Sequence, residues 1–165
     1  MTLRMDTLSM PANSYRGRND VRLVASVDGE KVSHFRLREF ENGDGLAMVH
    51  GSVLESLERT RRDLCSMASE DVWLIVTDAV RTEADLERLA VRLGWTDEGG
   101  AVSRTSKHLA RFGGIAVDLV AVVKSTRARV PQRTLGAICR RHFDWVKDNY
   151  GDGHVHADNR GVLGT

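Results

Sequence analysis

The chain has 165 residues, of which 41% are apolar and 28% charged, with a formal net charge of +1. That size and balance fit one globular domain with a real core, and exclude a disordered or fibrous chain. Because Lys and Arg nearly cancel Asp and Glu, no global field draws the protein to nucleic acid or to an anionic membrane, and no segment reads as a transmembrane helix.

Residues 1–20 are polar, include Pro11, Asn13, Ser14 and Gly17, and lack the apolar run of a secretory signal. They are expected to form a flexible N-terminal segment, with residues 21–165 as a single domain. Residues 21–27 and 31–35 flank Asp28-Gly29 and predict a β-hairpin. Gly43-Asp44-Gly45 breaks the chain. Ser52-Val-Leu-Glu55 then has the pattern of a capping box, predicting a helix that starts there. Its buried stripe is Val53, Leu57, Thr60 and Leu64, with Glu58, Arg59, Arg61, Arg62 and Asp63 on other faces.

Residues 72–76 are a short apolar, β-branched run expected of a central strand, and Thr82-Glu-Ala-Asp85 opens a second helix carrying Leu86, Leu89 and Leu93. A loop through Gly99, Gly100, Gly113 and Gly114 leads into a buried strand over 115–122. Pro131 suits the first turn of a third helix, whose stripe is Leu135, Ile138, Cys139, His142, Phe143 and Val146 and which ends at 149–153. Residues 154–158 read as a short edge or central strand. Helices mixed with short strands imply an α+β fold, a small, mainly antiparallel sheet flanked by helices. Cys65 and Cys139 fall among apolar helix residues and suit no CxxC metal site; whether they pair depends on how the two helices pack.

Strand alternation concentrates the chemistry. In Gly114-Ile-Ala-Val-Asp118 the small Gly114 and Ala116 share a face with Asp118. A carboxylate buried there in ionised form costs several kcal/mol unless a cation, Arg111 or backbone N–H groups satisfy it. The same alternation puts His154, His156 and Asp158 on one face of the last strand. If the two strands pair, Asp118 meets a histidine, and His108 can fold over the same point through the glycine-containing loop. Two imidazoles and a carboxylate make a three-ligand zinc site with an open position for water. Taken alone, His108 is more often solvent-facing or structural. His34, His50 and His142 lack such companions and read as structural.

Set in order, Ser33-His-Phe-Arg-Leu-Arg-Glu-Phe40, the helix with Leu57 and Arg61, Ile75-Val-Thr-Asp-Ala-Val-Arg-Thr82, Ser106-Lys-His108, Gly114-x-Ala-x-Asp118 and His156-Ala-Asp158 resemble the zinc D-alanyl-D-alanine carboxypeptidase family, including its phage endolysin members. The resemblance spans residues 33–160. It implies that His108, Asp118 and His156 hold Zn2+, that Arg81 binds the substrate's carbonyl or carboxylate, and that Ser106 helps hold substrate. The implied activity is hydrolysis of peptide bonds in the stem peptides of bacterial peptidoglycan, as a D,D-carboxypeptidase or an endolysin-type endopeptidase. With no signal peptide read, such a protein is expected to be made in the cytoplasm and to meet the wall after lysis or on a phage particle.

Three departures are visible. His108 and Asp118 stand ten positions apart, wider than in the family, so the intervening loop must bulge. The family's S-G-Y-R motif is degraded to Thr77-Asp-Ala-Val-Arg81. Gly153 occupies the position where the family commonly has an acid, leaving His154 or Asp152 as the base; likeness to H-x-H zinc peptidases favours His154, with an exchange of roles between His154 and His156 as the alternative. The rival reading is a catalytically inactive, zinc-containing wall-binding or virion structural domain of the same fold. A nucleic-acid reading through Arg59, Arg61, Arg62, Arg127, Arg129, Arg140 and Arg141 ranks last, because these alternate with acids as on a solvated helix face.

Overall fold

In the computed structural model, which describes residues 14–17, 21–93 and 106–164, the chain opens with strands β1 (Ser14–Gly17), β2 (Arg22–Val27), β3 (Glu30–Arg36) and β4 (Ala47–His50). It continues through helix α1 (Gly51–Ala68), β5 (Val72–Asp78), helix α2 (Glu83–Leu93), β6 (Ala116–Val123), helix α3 (Gln132–Cys139), β7 (Trp145–Lys147) and β8 (Val155–Asp158). The fold is α+β, as expected. Strands β5, β6, β8 and β7 form the principal sheet in that spatial order, β2 pairs with β3 and β1 with β4, and every pairing is antiparallel.

The hairpin turns on Asp28 (φ 51°) and Gly29 (φ 83°), two left-handed residues of the kind a two-residue turn demands. Ser14–Gly17 pairs with β4, so strand pairing begins inside the segment expected to be flexible. Gly99 and Gly100 lie outside the described residues. Helix α2 starts where expected, and Thr82 and Asp85 form a reciprocal box there: Thr82 N donates to Asp85 at 2.7 Å and Asp85 N to Thr82 Oγ1 at 3.1 Å.

Three local expectations are corrected. Helix α1 is capped by His50, whose Nδ1 accepts from Ser52 N at 3.1 Å, because β4 runs straight into the helix and brings an imidazole to the first turn. Glu58 is buried rather than solvated, since strand β3 supplies two donors for it, His34 N at 2.9 Å and His34 Nδ1 at 2.7 Å. Helix α3 stops at Cys139 and Val146 belongs to β7. Asp144 decides this: its N–H donates to Asn159 Oδ1 and its carboxylate accepts from Gly161 N, ties to the C-terminal segment that a continued helix would break. His142 then lies beyond the helix, at 2.7 Å from Asp63.

Helices α1 and α3 cover one face of the principal sheet, packing Leu54, Leu57, Leu135 and Ile138 against Val72, Leu74, Val117, Leu119 and Val155. Cys65 and Cys139 are unpaired, and burial pushes the Cys139 thiol up to about 12. Among the described residues no helix is long and apolar enough to cross a membrane. Several arginines of the helix faces are engaged by acids: Arg59 and Arg62 meet Asp28, Arg140 meets Asp148, and Arg141 meets Asp63.

Candidate metal centre

Asp118 sits on β6 between Val117 and Leu119, both fully buried in the core, so alternation turns it to the sheet face that α1 and α3 leave uncovered. His156 is its direct cross-strand partner on β8. His108 arrives from a separate segment tied to the chain beyond β5: Arg81 N donates to His108 O at 2.7 Å, and Ala110 N to Arg81 O at 2.8 Å. The wide interval between His108 and Asp118 is taken up by a 3-10 turn, Ala110–Phe112, followed by Gly113 (φ 87°) and Gly114 (φ 79°). The predicted bulge is therefore a tight left-handed reversal.

Three side-chain atoms converge. His108 Nε2 lies 3.1 Å from Asp118 Oδ1 and 3.1 Å from His156 Nδ1, and His156 Nδ1 lies 3.2 Å from Asp118 Oδ1. All three residues are buried. Their outer contacts fix where the protons are. His108 Nδ1 is 2.6 Å from the carbonyl of Ala79, which can only accept, so Nδ1 carries the hydrogen and the neutral ring turns a lone pair inward. His156 Nε2 is 2.8 Å from Asp158 Oδ2, so it donates there and Nδ1 is the inward lone pair. Three acceptors thus face one another with no hydrogen of the neutral tautomers between them. Only a cation, or a proton taken up by a ring, relieves that arrangement. Ligands about 2.0 Å from a tetrahedral zinc stand about 3.3 Å apart, close to these spacings, and two imidazoles with one carboxylate suit a divalent ion of the zinc type better than a hard cation. The cluster could therefore hold a divalent metal such as zinc.

The outer contacts are the kind that orient metal-binding histidines. Asp158 is fully buried and also accepts from Arg160 Nε at 2.8 Å and Nη2 at 2.7 Å. Burial pushes the Asp158 carboxyl up, but Arg160 and His156 outweigh it and hold it at about 2. Arg160 in turn lies over the ring of Trp145, whose edge meets His156. Replacing Asp158 by asparagine leaves the space filled but weakens the acceptor for His156. Zinc affinity is expected to fall about tenfold to a hundredfold, measured by competition with a chromophoric chelator.

Of the other residues singled out in the sequence, His154 Nε2 stands 3.6 Å from Asp118 Oδ2, and His154 Nδ1 donates to Asp152. Arg81 Nη2 is also 3.6 Å from Asp118 Oδ2 and is tethered by Asp78 through Nε at 2.7 Å and through Nη2. Ser106 Oγ accepts from His108 N at 3.3 Å, which makes it part of the turn presenting His108. The arrangement brings in residues that sequence reasoning passed over. Asp158 shares the strand face of His156, and its i+2 spacing from that histidine is the signal that marks it as the partner of Nε2. Asp78, Tyr150, Trp145 and Arg160 carried no signal, since each is recruited by tertiary packing.

Burial pushes the His156 imidazole down, but Asp118 and Asp158 overcome this and raise it above its ordinary value of 6.5. Asp118 is likewise destabilised by burial, yet the two histidines hold it far below the usual carboxylate range. In the metal-free protein, protonated His156 therefore contributes stability in full below 6.5, and that contribution is lost as pH rises through the raised value. A metal competes with this proton. Zinc affinity is expected to fall by about tenfold per pH unit once the pH drops below the raised value, an onset above that of a free imidazole, read by calorimetric titration between acid and neutral pH.

Searches against protein-family profiles, curated proteins and solved structures found no match. What the chain can do rests on its own geometry: a buried histidine, aspartate and histidine triad in a small α+β fold.

Proposed function

We propose that this chain is a zinc-dependent peptidase that hydrolyses peptide bonds in the stem peptides of bacterial peptidoglycan. The observation that carries the reading is the convergence of three lone pairs from His108, Asp118 and His156, beside a non-ligand histidine oriented by its own carboxylate. Two imidazoles and a carboxylate form a ligand set used by hydrolytic zinc, and the order of motifs around it resembles that of the wall carboxypeptidases. The ion would supply Lewis acidity and a water whose pKa is lowered to about 7.

The chain's own groups account for the rest. With Nδ1 donating to Asp152, the neutral His154 ring has its lone pair on Nε2, toward Asp118. His154 takes the proton of the attacking water there and returns it to the leaving amine. Asp152 is solvent-exposed and contacts His154 Nδ1, which supports His154 as the base with Asp152 as its orienting partner. Arg81, held by Asp78, offers positive charge to the carbonyl oxygen or carboxylate of the substrate. Ser106 spends its oxygen on His108 N and keeps its O–H for substrate.

The decisive experiment digests purified wall and defined muropeptides with zinc-loaded protein and identifies the products by mass spectrometry. New termini that vanish with a chelator and return with zinc support the reading. Stoichiometric zinc without any hydrolysis would sink it in favour of a non-catalytic wall-binding domain. Arg81→Ala is expected to retain zinc and to lower kcat by roughly a hundredfold to a thousandfold, measured on the same muropeptides.

A further inference from the structure

We infer that Tyr150 is a positioning residue for His154, its ring serving as the platform that sets the plane of the imidazole and holds Nε2 toward the metal centre; this rests on the role given to His154 above. The two ring centroids lie 4.0 Å apart with planes inclined by 17°, a stacked pair. The other ring contacts of the centre, His108 with His156 and Trp145 with His156, are edge-on at 72°.

Asp152 alone is a poor tether. Its side chain is 72% exposed, so water competes for the carboxylate, and a single hydrogen bond at Nδ1 leaves the imidazole free to swing about that bond. A flat ring against the face of the imidazole removes that freedom. The His154 side chain is only 19% exposed.

The backbone is arranged to hold the stack. Tyr150-Gly-Asp-Gly153 forms a turn closed by Gly153 N donating to Tyr150 O at 3.1 Å, with Gly153 at φ 87°. A left-handed residue is needed there to reverse the chain, which gives Gly153 a reason other than a lost acid. Gln132, in the first turn of α3, donates Nε2 to both Tyr150 O at 3.0 Å and His154 O at 2.8 Å, pinning the two ends of the turn together. Lys147 Nζ lies 4.7 Å from the Tyr150 ring centroid and braces the platform. Burial, and then the Asp118 carboxylate, push the phenol above its ordinary value, so the ring stays neutral against the imidazole.

Tyr150→Phe keeps the platform and loses the hydroxyl, whereas Tyr150→Leu loses the platform. Tyr150→Phe is expected to stay within about twofold of wild-type kcat, and Tyr150→Leu to fall about tenfold to a hundredfold with KM and zinc content unchanged. In NMR spectra of the full chain, the His154 ring protons should carry an upfield ring-current shift in the wild type and in Tyr150→Phe, lost in Tyr150→Leu. The platform is overturned if Tyr150→Phe falls as far as Tyr150→Leu, which would make the hydroxyl the active group, or if Tyr150→Leu retains both rate and shift. Should the wild type cleave no wall peptide, the peptidase reading fails, and the presence or absence of the ring-current shift decides the platform by itself.

Discussion

His156→Ala is expected to bind no stoichiometric zinc, and the wild-type protein is expected to bind about one zinc per chain in a three-ligand site. The substitution removes one nitrogen of the triad, leaves His108 and Asp118 as two ligands, and strips Asp118 of the imidazole facing it across the strand pair. The loss should also be visible in stability. Zinc at about a hundred times its dissociation constant adds about 2.7 kcal/mol to a protein that binds it only when folded. The thermal midpoint of the wild type should therefore rise with added zinc and fall with a chelator, whereas that of His156→Ala should move with neither. Elemental analysis after dialysis, paired with thermal unfolding, checks both expectations. A variant that retained a full complement of zinc would refute the ligand set.

Gly114→Ala should damage the fold itself. Gly114 has φ 79°, and a Cβ there would stand 2.8 Å from Val49 Cα, 2.9 Å from Val49 N and 3.0 Å from the Met48 carbonyl carbon. All three are backbone atoms of β4 and cannot swing aside. The close approach also carries the hydrogen bond from His50 N to Gly114 O at 2.9 Å. Adopting a left-handed conformation costs about 1–2 kcal/mol and overpacking about 1–3 kcal/mol, so a loss on the order of 2–5 kcal/mol is expected. That is a large share of the stability of about 5–15 kcal/mol typical of a domain. Gly151→Ala is the control, because a Cβ there meets nothing within 4 Å. Urea unfolding of the two variants should separate them clearly, and equal midpoints would contradict the close approach of β4 to Gly114.

The triad was legible because two-residue alternation decides the face of Asp118 and of His156 without knowledge of the rest of the fold. Their meeting was conditional on β6 pairing with β8, which the structure supplies. The hairpin and the start of α2 were legible for similar reasons, since Asp28-Gly29 and the Thr82/Asp85 box act on their own neighbours. What escaped depends on distant partners. Phe143 and Val146 continue the apolar spacing of α3, and only the bonds from Asp144 to Asn159 and Gly161 show that the helix ends earlier. Ser52 fits a capping box better than His50 fits any rule, yet β4 delivers His50 to the cap. Glu58 looks solvated until His34 arrives from another strand. Tyr150 has no periodic signal at all; it meets His154 because a four-residue turn closes between them.

The pairing of Asp118 with His156 also bears on the order in which the molecule assembles. Between β6 and β8 lie α3 and β7, so bringing the two ligands together closes a long loop of chain that contains both elements. His108 depends on a different event, the docking of its segment beside Arg81. Tight metal affinity therefore requires both long-range closures to be complete. An ion that binds only the completed centre stabilises the native state over any transition state in which those closures are unformed, so its main kinetic effect is expected on escape from the native state. Zinc should slow unfolding far more than it speeds folding, which makes the centre a latch on a finished sheet rather than a seed for it.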